Sequence, residues 1–136
     1  MNDIKKYKLI NAARNVRDNA YAPYSGFKVG AAVLAEDGNT FTGCNVENAS
    51  YGLTVCAERN AISSLIASGN RFPVSIAIVA KEGTLCPPCG ACRQVMMEFN
   101  PDLEIILESG HEGCELFKLS EILPLSFSMA PPMPPA

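Results

Sequence analysis

The fold is decided by residues 28–46, which have the sequence KVGAAVLAEDGNTFTGCNV. Residues 28–36 are rich in valine and alanine, a composition that favours a strand. Asp37-Gly38 is a common hairpin turn, so we predict that a second strand, over about residues 40–46, returns antiparallel to the first.

The segments around this hairpin alternate between helical and strand patterns. Apolar residues recur at helical spacing over residues 3–20, with Asp3 as the predicted cap. The remaining predicted elements are a loop over 47–53, a helix over 55–68 capped by Thr54 and ended by Gly69, a buried strand over 74–80, a helix over 89–99, strands over 103–108 and 114–118, and a helical turn over 119–123. This order predicts an α/β fold, a three-layer α/β/α sandwich around a mixed sheet of about five strands. Residues 1–128 are expected to form one catalytic domain, and residues 129–136 a proline-rich, irregular tail.

Length and charge exclude several classes of protein. The chain has 136 residues, which suits one domain, and its longest apolar run, over 29–35, is too short to span a membrane. The N-terminus leads into no apolar signal segment, so we expect a soluble cytoplasmic protein with no membrane partner. Acidic residues outnumber basic ones by 14 to 11, and a binder of nucleic acid normally shows a basic excess. A small-molecule ligand is therefore expected.

Six cysteines and one histidine define the candidate metal chemistry. Without a secretory signal, clustered cysteines favour metal binding or catalysis over disulfides. His111 lies in a turn-like stretch and is predicted to be an exposed loop residue. Any first-row metal would therefore depend on thiolates, which favours zinc or iron–sulfur.

Two motifs at predicted helix starts carry three of these cysteines: Cys56-Ala57-Glu58-Arg59 and Pro88-Cys89-Gly90-Ala91-Cys92-Arg93-Gln94. Cys89 and Cys92 are three residues apart, so they share one face of a helical turn, and Cys56 would supply a third thiolate. Three protein ligands and one open position are typical of catalytic zinc, where the fourth position holds a water of lowered pKa.

Nearby charged residues suit this interpretation. Glu58, at the first turn of its helix, is predicted to move protons between that water and a substrate. Zinc with three thiolates has a net negative charge. The positive ends of the two helix dipoles would offset part of this charge, and so would guanidinium groups near the sulfur atoms, supplied by Arg59 and Arg93. The alternative for each arginine is a surface salt bridge.

These motifs resemble the cytidine deaminase family of zinc-dependent deaminases, in its small homotetrameric form. The resemblance covers nearly the whole chain. Besides the two zinc motifs, it rests on Tyr24-Ser25-Gly26-Phe27-Lys28-Val29-Gly30-Ala31-Ala32, Gly43-Cys44-Asn45-Val46-Glu47-Asn48-Ala49 and Leu123-Pro124-Leu125-Ser126-Phe127.

The resemblance implies hydrolytic deamination of free cytidine and deoxycytidine in pyrimidine salvage, with one zinc ion per chain. It implies that Cys56, Cys89 and Cys92 bind zinc and that Glu58 is the general acid and base. It also implies that the pyrimidine stacks on Phe27 and contacts the backbone of Ala57, and that Asn45 and Glu47 bind the ribose hydroxyls. Tyr51 and Phe127 would contribute to sites shared between subunits of a homotetramer. From the residues alone, the alternative for Phe27 is a core aromatic, that for Asn45 and Glu47 is a polar loop, and that for residues 123–127 is a segment folded on its own core.

Three alternatives remain at this point. An iron–sulfur run would need a fourth cysteine where the chain has Met96. Cys86, a departure from the family pattern, would close a structural zinc site if it were a fourth ligand. The third alternative is a related deaminase acting on a blasticidin-type or modified cytosine nucleoside. Cys44 and Cys114 are expected to be free thiols.

Overall fold

The computed structural model describes residues 2–110 and 113–129. His111 and residues 130–136 of the predicted tail lie outside the described residues. The helices and strands are α1 (Asp3–Arg17), β1 (Gly30–Ala35), β2 (Thr40–Cys44), a 3-10 turn (Tyr51–Leu53), α2 (Ala57–Ala67), β3 (Pro73–Val79), α3 (Gly90–Phe99), β4 (Glu104–Glu108), β5 (Cys114–Lys118) and α4 (Leu119–Ile122). None of the helices in this part of the chain is long and apolar enough to cross a membrane.

The five strands form one mixed sheet in the order β2-β1-β3-β4-β5. The predicted hairpin is confirmed, since β1 and β2 pair antiparallel with Gly30 opposite Cys44 and Leu34 opposite Thr40. The β3–β4 pair is parallel, and α3 lies between these two strands in the chain, as a parallel crossover requires. The other two pairs are antiparallel.

The sheet is covered by helices on both faces, which confirms the three-layer arrangement. On one face α1 buries Leu9, Ile10 and Ala13 against Ala32 and Ile106. On the other face α2, α3 and α4 pack over the alternate residues of the same strands in a larger apolar cluster. Successive side chains of a strand point to opposite faces, so the valine- and alanine-rich strands supply both cores.

Two glycines allow helices to approach the sheet closely. A Cβ atom at Gly30 would lie 2.0 Å from the carbonyl oxygen of Ala13, and one at Gly43 would lie 2.4 Å from the backbone nitrogen of Ala61. Both obstacles are backbone atoms, so a side chain at either position would push the helix away. Gly43 thereby fixes α2, and the cysteine at its start, against β2.

The ends of the helices differ from the prediction. The side chain of Asn2, rather than that of Asp3, caps α1 by accepting a hydrogen bond from the backbone of Lys5. The N-cap of α2 is Cys56 rather than Thr54. Strand β2 ends at Cys44, and beyond it Val46 forms only isolated bridges.

Candidate active site

Two of the three motif cysteines occupy the start of a helix. Cys56 is the N-cap of α2 and Cys89 is the N-cap of α3, and neither side chain caps its own helix. Their sulfur atoms therefore lie where unpaired backbone N–H groups and the helix dipole stabilise a thiolate. Cys92, on the first turn of α3, is fully buried, whereas Cys89 is exposed.

The three sulfur atoms are spaced as ligands of a tetrahedral zinc ion are. The Sγ atoms of Cys56 and Cys89 are 3.8 Å apart, those of Cys89 and Cys92 are 3.4 Å apart, and all three lie within 4.8 Å of one another. Ligands held about 2.3 Å from zinc in a tetrahedron are separated by about 3.8 Å. The donor set and its spacing therefore fit zinc, with one position left for water or substrate.

Hydrogen bonds within the cluster and a nearby guanidinium shift the pKa values of its thiols. A hydrogen bond from Cys92, followed by one from Arg59, lowers the pKa of Cys56 to about 5. The same hydrogen bond to Cys56, followed by burial, raises the pKa of Cys92, so Cys56 loses its proton more readily than Cys92 does. The guanidinium of Arg59 donates to Cys56 Sγ at 3.6 Å and to the carbonyl oxygen of Thr54 at 3.3 Å. It lies where a positive charge offsets the excess negative charge of three thiolates.

Glu58 is a buried carboxyl group close to these thiols. It is only 4% exposed and lies on the first turn of α2, two residues after Cys56. Burial, with a smaller contribution from the charge of Cys56, raises the pKa of Glu58 to about 7. A carboxyl group with a pKa near neutrality exchanges a proton readily in either direction, which is what general acid–base chemistry requires.

Arg93 differs from its predicted placement. Its guanidinium donates to the carbonyl oxygen of Pro88 at 2.7 Å and to that of Ile122 at 2.6 Å, rather than to a ligand sulfur. It therefore ties the segment before α3 to the end of α4. The predicted surface salt bridge is also not observed for Arg93 among the described residues.

Cys86 lies near the cluster and outside the group of three. It is half-buried and packs against the larger core, and burial raises its pKa to about 11. Its sulfur is not among the three that lie within 4.8 Å of one another in the described part of the chain. Cys44 and Cys114 are free thiols, as expected.

Phe27 lies at the surface beside β1, held there by Asn45. The Phe27 side chain is 41% exposed, so it is not a core aromatic. The buried amide of Asn45 accepts a hydrogen bond from the backbone nitrogen of Val29 at 2.8 Å and donates one to the carbonyl oxygen of Phe27 at 2.8 Å. This asparagine therefore fixes the backbone on both sides of residue 28.

Glu47 holds the preceding part of the same loop. One carboxylate oxygen accepts the backbone N–H groups of Tyr24 at 2.9 Å and Ser25 at 3.1 Å, and the other accepts the hydroxyl of Ser25. The hydrogen bond from the Ser25 hydroxyl lowers the pKa of Glu47, which keeps the side chain ionised at neutral pH.

A cavity of about 340 Å³ opens next to this loop. It is lined by Tyr24, Ser25, Glu47, Asn48, Tyr51 and Thr54. The structure therefore brings Tyr51 and Glu47 together, and Tyr51 is 80% exposed. Ala57, by contrast, is fully buried at the first residue of α2.

The C-terminal segment contacts α3 through its backbone, and the side chain of Leu123 at its start packs against the larger core. The carbonyl oxygen of Phe127 accepts a hydrogen bond from the side chain of Gln94 on α3, at 2.9 Å. The side chain of Phe127 is 74% exposed, and Leu125 is fully exposed with a positive φ of 52°. Residues 125 and 127 are therefore not folded into the core of their own chain.

Sequence reasoning missed the part played by Ser25. Its hydroxyl accepts the backbone N–H of Phe27 at 2.9 Å while donating to Glu47. A serine followed by glycine two positions before a proposed stacking aromatic is a turn signal that could have indicated such a contact.

Comparison with known proteins agrees with this geometry. A family model described as "Cytidine and deoxycytidylate deaminase zinc-binding region" matches residues 3–107. The chain is 48% identical over 121 residues to the cytidine deaminase of Halalkalibacterium halodurans, covering 88% of this chain and 92% of that relative. It is 43% identical over 122 residues to the cytidine deaminase of Sporosarcina psychrophila, covering 89% of this chain and 90% of the relative. A crystal structure of cytidine deaminase from Burkholderia pseudomallei superposes with a TM-score of 0.85 at 47% identity, covering 93% of this chain and 100% of that one.

Proposed function

The chain belongs to the cytidine and deoxycytidylate deaminase family, and from this premise we propose that it hydrolyses free cytidine and deoxycytidine to uridine and deoxyuridine, with release of ammonia. The observation that carries the proposal is a buried carboxyl group of raised pKa, Glu58, beside three thiols spaced for zinc. This pairing offers a metal ligand set and a proton carrier in one place.

The three cysteines and Glu58 have separate tasks in the proposed reaction. Cys56, Cys89 and Cys92 would hold one zinc ion per chain, which would supply the Lewis acidity that makes water nucleophilic at neutral pH. Glu58 takes one proton from the attacking water as the water oxygen bonds to ring atom C4, and delivers it to ring atom N3. It then takes the remaining proton of the hydroxyl group on C4 and delivers it to the amino group, so that the C4–N bond breaks and ammonia leaves. The raised pKa of Glu58 supports this role, because both protonation states are accessible near pH 7.

The loop residues bind the nucleoside. The exposed face of Phe27 stacks on the pyrimidine, and the backbone of Ala57 meets the edge of the base. Asn45 and Glu47 bind ribose hydroxyls. The bonds that these two side chains already make to residues 24–29 are compatible with that role, because an amide and a carboxylate each have more hydrogen-bonding sites than those contacts use.

The substrate is proposed to be the nucleoside rather than its 5′-phosphate or a nucleic acid. Glu47 and the thiolate cluster are negative groups, and no basic residue among those that the structure describes lines the cavity beside the loop. A phosphate or a nucleic acid would need a positively charged cradle.

The active enzyme is proposed to be a homotetramer in which Tyr51 and Phe127 complete sites shared between subunits. Both side chains are largely exposed, as is Leu125, and large exposed apolar side chains are often covered by a neighbouring subunit. Mixing Glu58→Gln subunits with Phe127→Ala subunits tests this arrangement. Verified mixed tetramers should recover activity, whereas no recovery would place Phe127 outside its neighbour's site.

We further propose a single catalytic domain over residues 1–128, a cytoplasmic location and a role in pyrimidine salvage. The blasticidin-type substrate is less well supported, because the two relatives at 43% and 48% identity are both named cytidine deaminases.

The proposed reaction is tested by measuring zinc content together with ammonia release. Cytidine, deoxycytidine, cytidine monophosphate and free cytosine are compared as substrates, with the Glu58→Gln variant as a control. We expect one zinc per chain and turnover of both nucleosides. Equal or better use of the monophosphate would contradict the substrate assignment.

A further inference from the structure

We propose that Ser25 is a positioning residue that couples the Glu47 carboxylate to the backbone of Phe27, so that the ribose contact and the stacking aromatic are held in one fixed relation. The inference rests on the proposed function, because it concerns the binding of a nucleoside. Ser25 itself has no assigned contact with the substrate.

The Ser25 hydroxyl bridges the two groups. It accepts a hydrogen bond from the backbone nitrogen of Phe27 at 2.9 Å and donates its single proton to a carboxylate oxygen of Glu47. A hydroxyl has one donor and two acceptor sites, so it can make both bonds at once. Because Glu47 is ionised, the bond from Ser25 is charge-assisted and stronger than one between neutral groups.

The remaining hydrogen-bonding capacity of Glu47 shows what this bridge controls. The oxygen that accepts the backbone N–H groups of Tyr24 and Ser25 has both of its acceptor sites in use. The other oxygen receives the Ser25 hydroxyl and keeps one acceptor site. Ser25 therefore determines the direction from which a sugar hydroxyl can approach Glu47.

The backbone of the loop is arranged to bring the hydroxyl to Phe27. Gly26, between them, has a φ of +68°, a left-handed conformation that L side chains rarely adopt. Its N–H donates to the carbonyl oxygen of Ala22 at 2.9 Å, which closes the turn. Ser25 is itself exposed, so replacing it removes the bridge and opens no cavity in the core.

The experiment compares Ser25→Ala with Ser25→Thr, which retains the hydroxyl, and with Ser63→Ala, a matched change at an exposed serine of α2. A hydrogen bond to a charged group is typically associated with about a 10- to 100-fold change in an equilibrium constant. We expect Ser25→Ala to raise KM for cytidine about tenfold or more while kcat changes less than about threefold. Ser25→Thr should restore KM to near its original value, and Ser63→Ala should leave it unchanged.

A double-mutant cycle with Glu47→Gln shows whether Ser25 acts through Glu47. Ser25→Ala should have a markedly smaller effect on KM in the Glu47→Gln background than in the original chain. An unchanged KM in Ser25→Ala, a failure of threonine to rescue, or additive effects in the cycle would each overturn the inference while leaving the deamination itself established. If the unaltered, zinc-loaded chain releases no ammonia from cytidine, the proposed function fails first and this inference fails with it.

Discussion

Replacing Asn45 with alanine separates its effect on loop stability from its effect on substrate binding. The change removes two hydrogen bonds, each 2.8 Å long, to the backbone of Val29 and Phe27. Val29 is 8% exposed, so its N–H would be left without a partner at a cost of about 1–3 kcal/mol. Phe27 is 41% exposed, so water can replace the amide at its carbonyl and only the net value of one bond, about 1 kcal/mol, is lost.

The sum is a destabilisation of about 2–4 kcal/mol, measurable by urea unfolding of the zinc-loaded protein. The control is Asn19→Ala, at an exposed asparagine, which should change the unfolding free energy by less than about 0.5 kcal/mol. We also expect Asn45→Ala to raise KM for cytidine, since the backbone that carries Phe27 is released. If Asn45→Ala raises KM but loses less than about 1 kcal/mol of stability, the argument is refuted, because its amide would then serve the substrate and not the loop.

Three further predictions concern the metal and the helix that carries Cys56. Cys89→Ser should lose most of the bound zinc and Cys86→Ser should retain it, as measured by metal analysis; equal losses would make Cys86 a ligand. Glu58→Gln should keep the fold and the zinc but lower kcat by about 10⁴-fold, the upper end of the range for general acid–base groups, and near-normal turnover would remove Glu58 from the mechanism. Gly43→Ala should destabilise the chain by about 1–3 kcal/mol and weaken zinc binding, because the new Cβ would press on the backbone of α2. Gly52→Ala, at a position with open space, is the matched control, and equal stability of the two variants would contradict the packing argument.

Elements with a strong local signal were predicted correctly. The Asp37-Gly38 turn fixes both the strands of the hairpin and their register, so β1 and β2 pair as expected. Strand β3 is a short apolar run, and α3 follows two prolines, a residue type that interrupts a helix. Both elements can therefore be predicted from local sequence alone.

Helix ends were predicted less well, because several residues in a row suit the N-cap position. Thr54 has the better capping side chain, yet α2 begins two residues later with Cys56 as its N-cap. The carbonyl oxygen of Thr54 instead accepts a hydrogen bond from Arg59, and its hydroxyl oxygen accepts one from the backbone nitrogen of Asn48. The start of the helix is thus set by tertiary contacts around the site, which local preference does not encode.

The partners of long polar side chains could not be predicted from spacing. Arg59 lies three residues after Cys56 and Arg93 four residues after Cys89, so helical spacing permits both to reach a sulfur. Among the described contacts, only Arg59 does so. Arg93 is drawn away by the carbonyl oxygen of Ile122, which α4 brings to it from 29 residues further along the chain. A spacing argument describes which contacts a helix permits, whereas competing partners from other elements decide which contact forms.

Residues 44–47, at the end of β2 and directly after it, contact both the loop that carries Phe27 and the helix α2. Asn45 and Glu47 hold the loop that carries Phe27, while the carbonyl oxygen of Cys44 accepts a hydrogen bond at 2.8 Å from Asn60 on α2, the helix that carries Cys56 and Glu58. A displacement of residues 44–47 would therefore disturb Phe27, the proposed stacking aromatic, and Cys56, a proposed zinc ligand, together. The other two cysteines, Cys89 and Cys92, depend on α3, in which Arg93 and Gln94 donate hydrogen bonds to the carbonyl oxygens of Ile122 and Phe127. Substitutions near the end of β2 should consequently weaken substrate binding and metal binding together. Substitutions of Arg93 or Gln94 should weaken metal binding more than substrate binding.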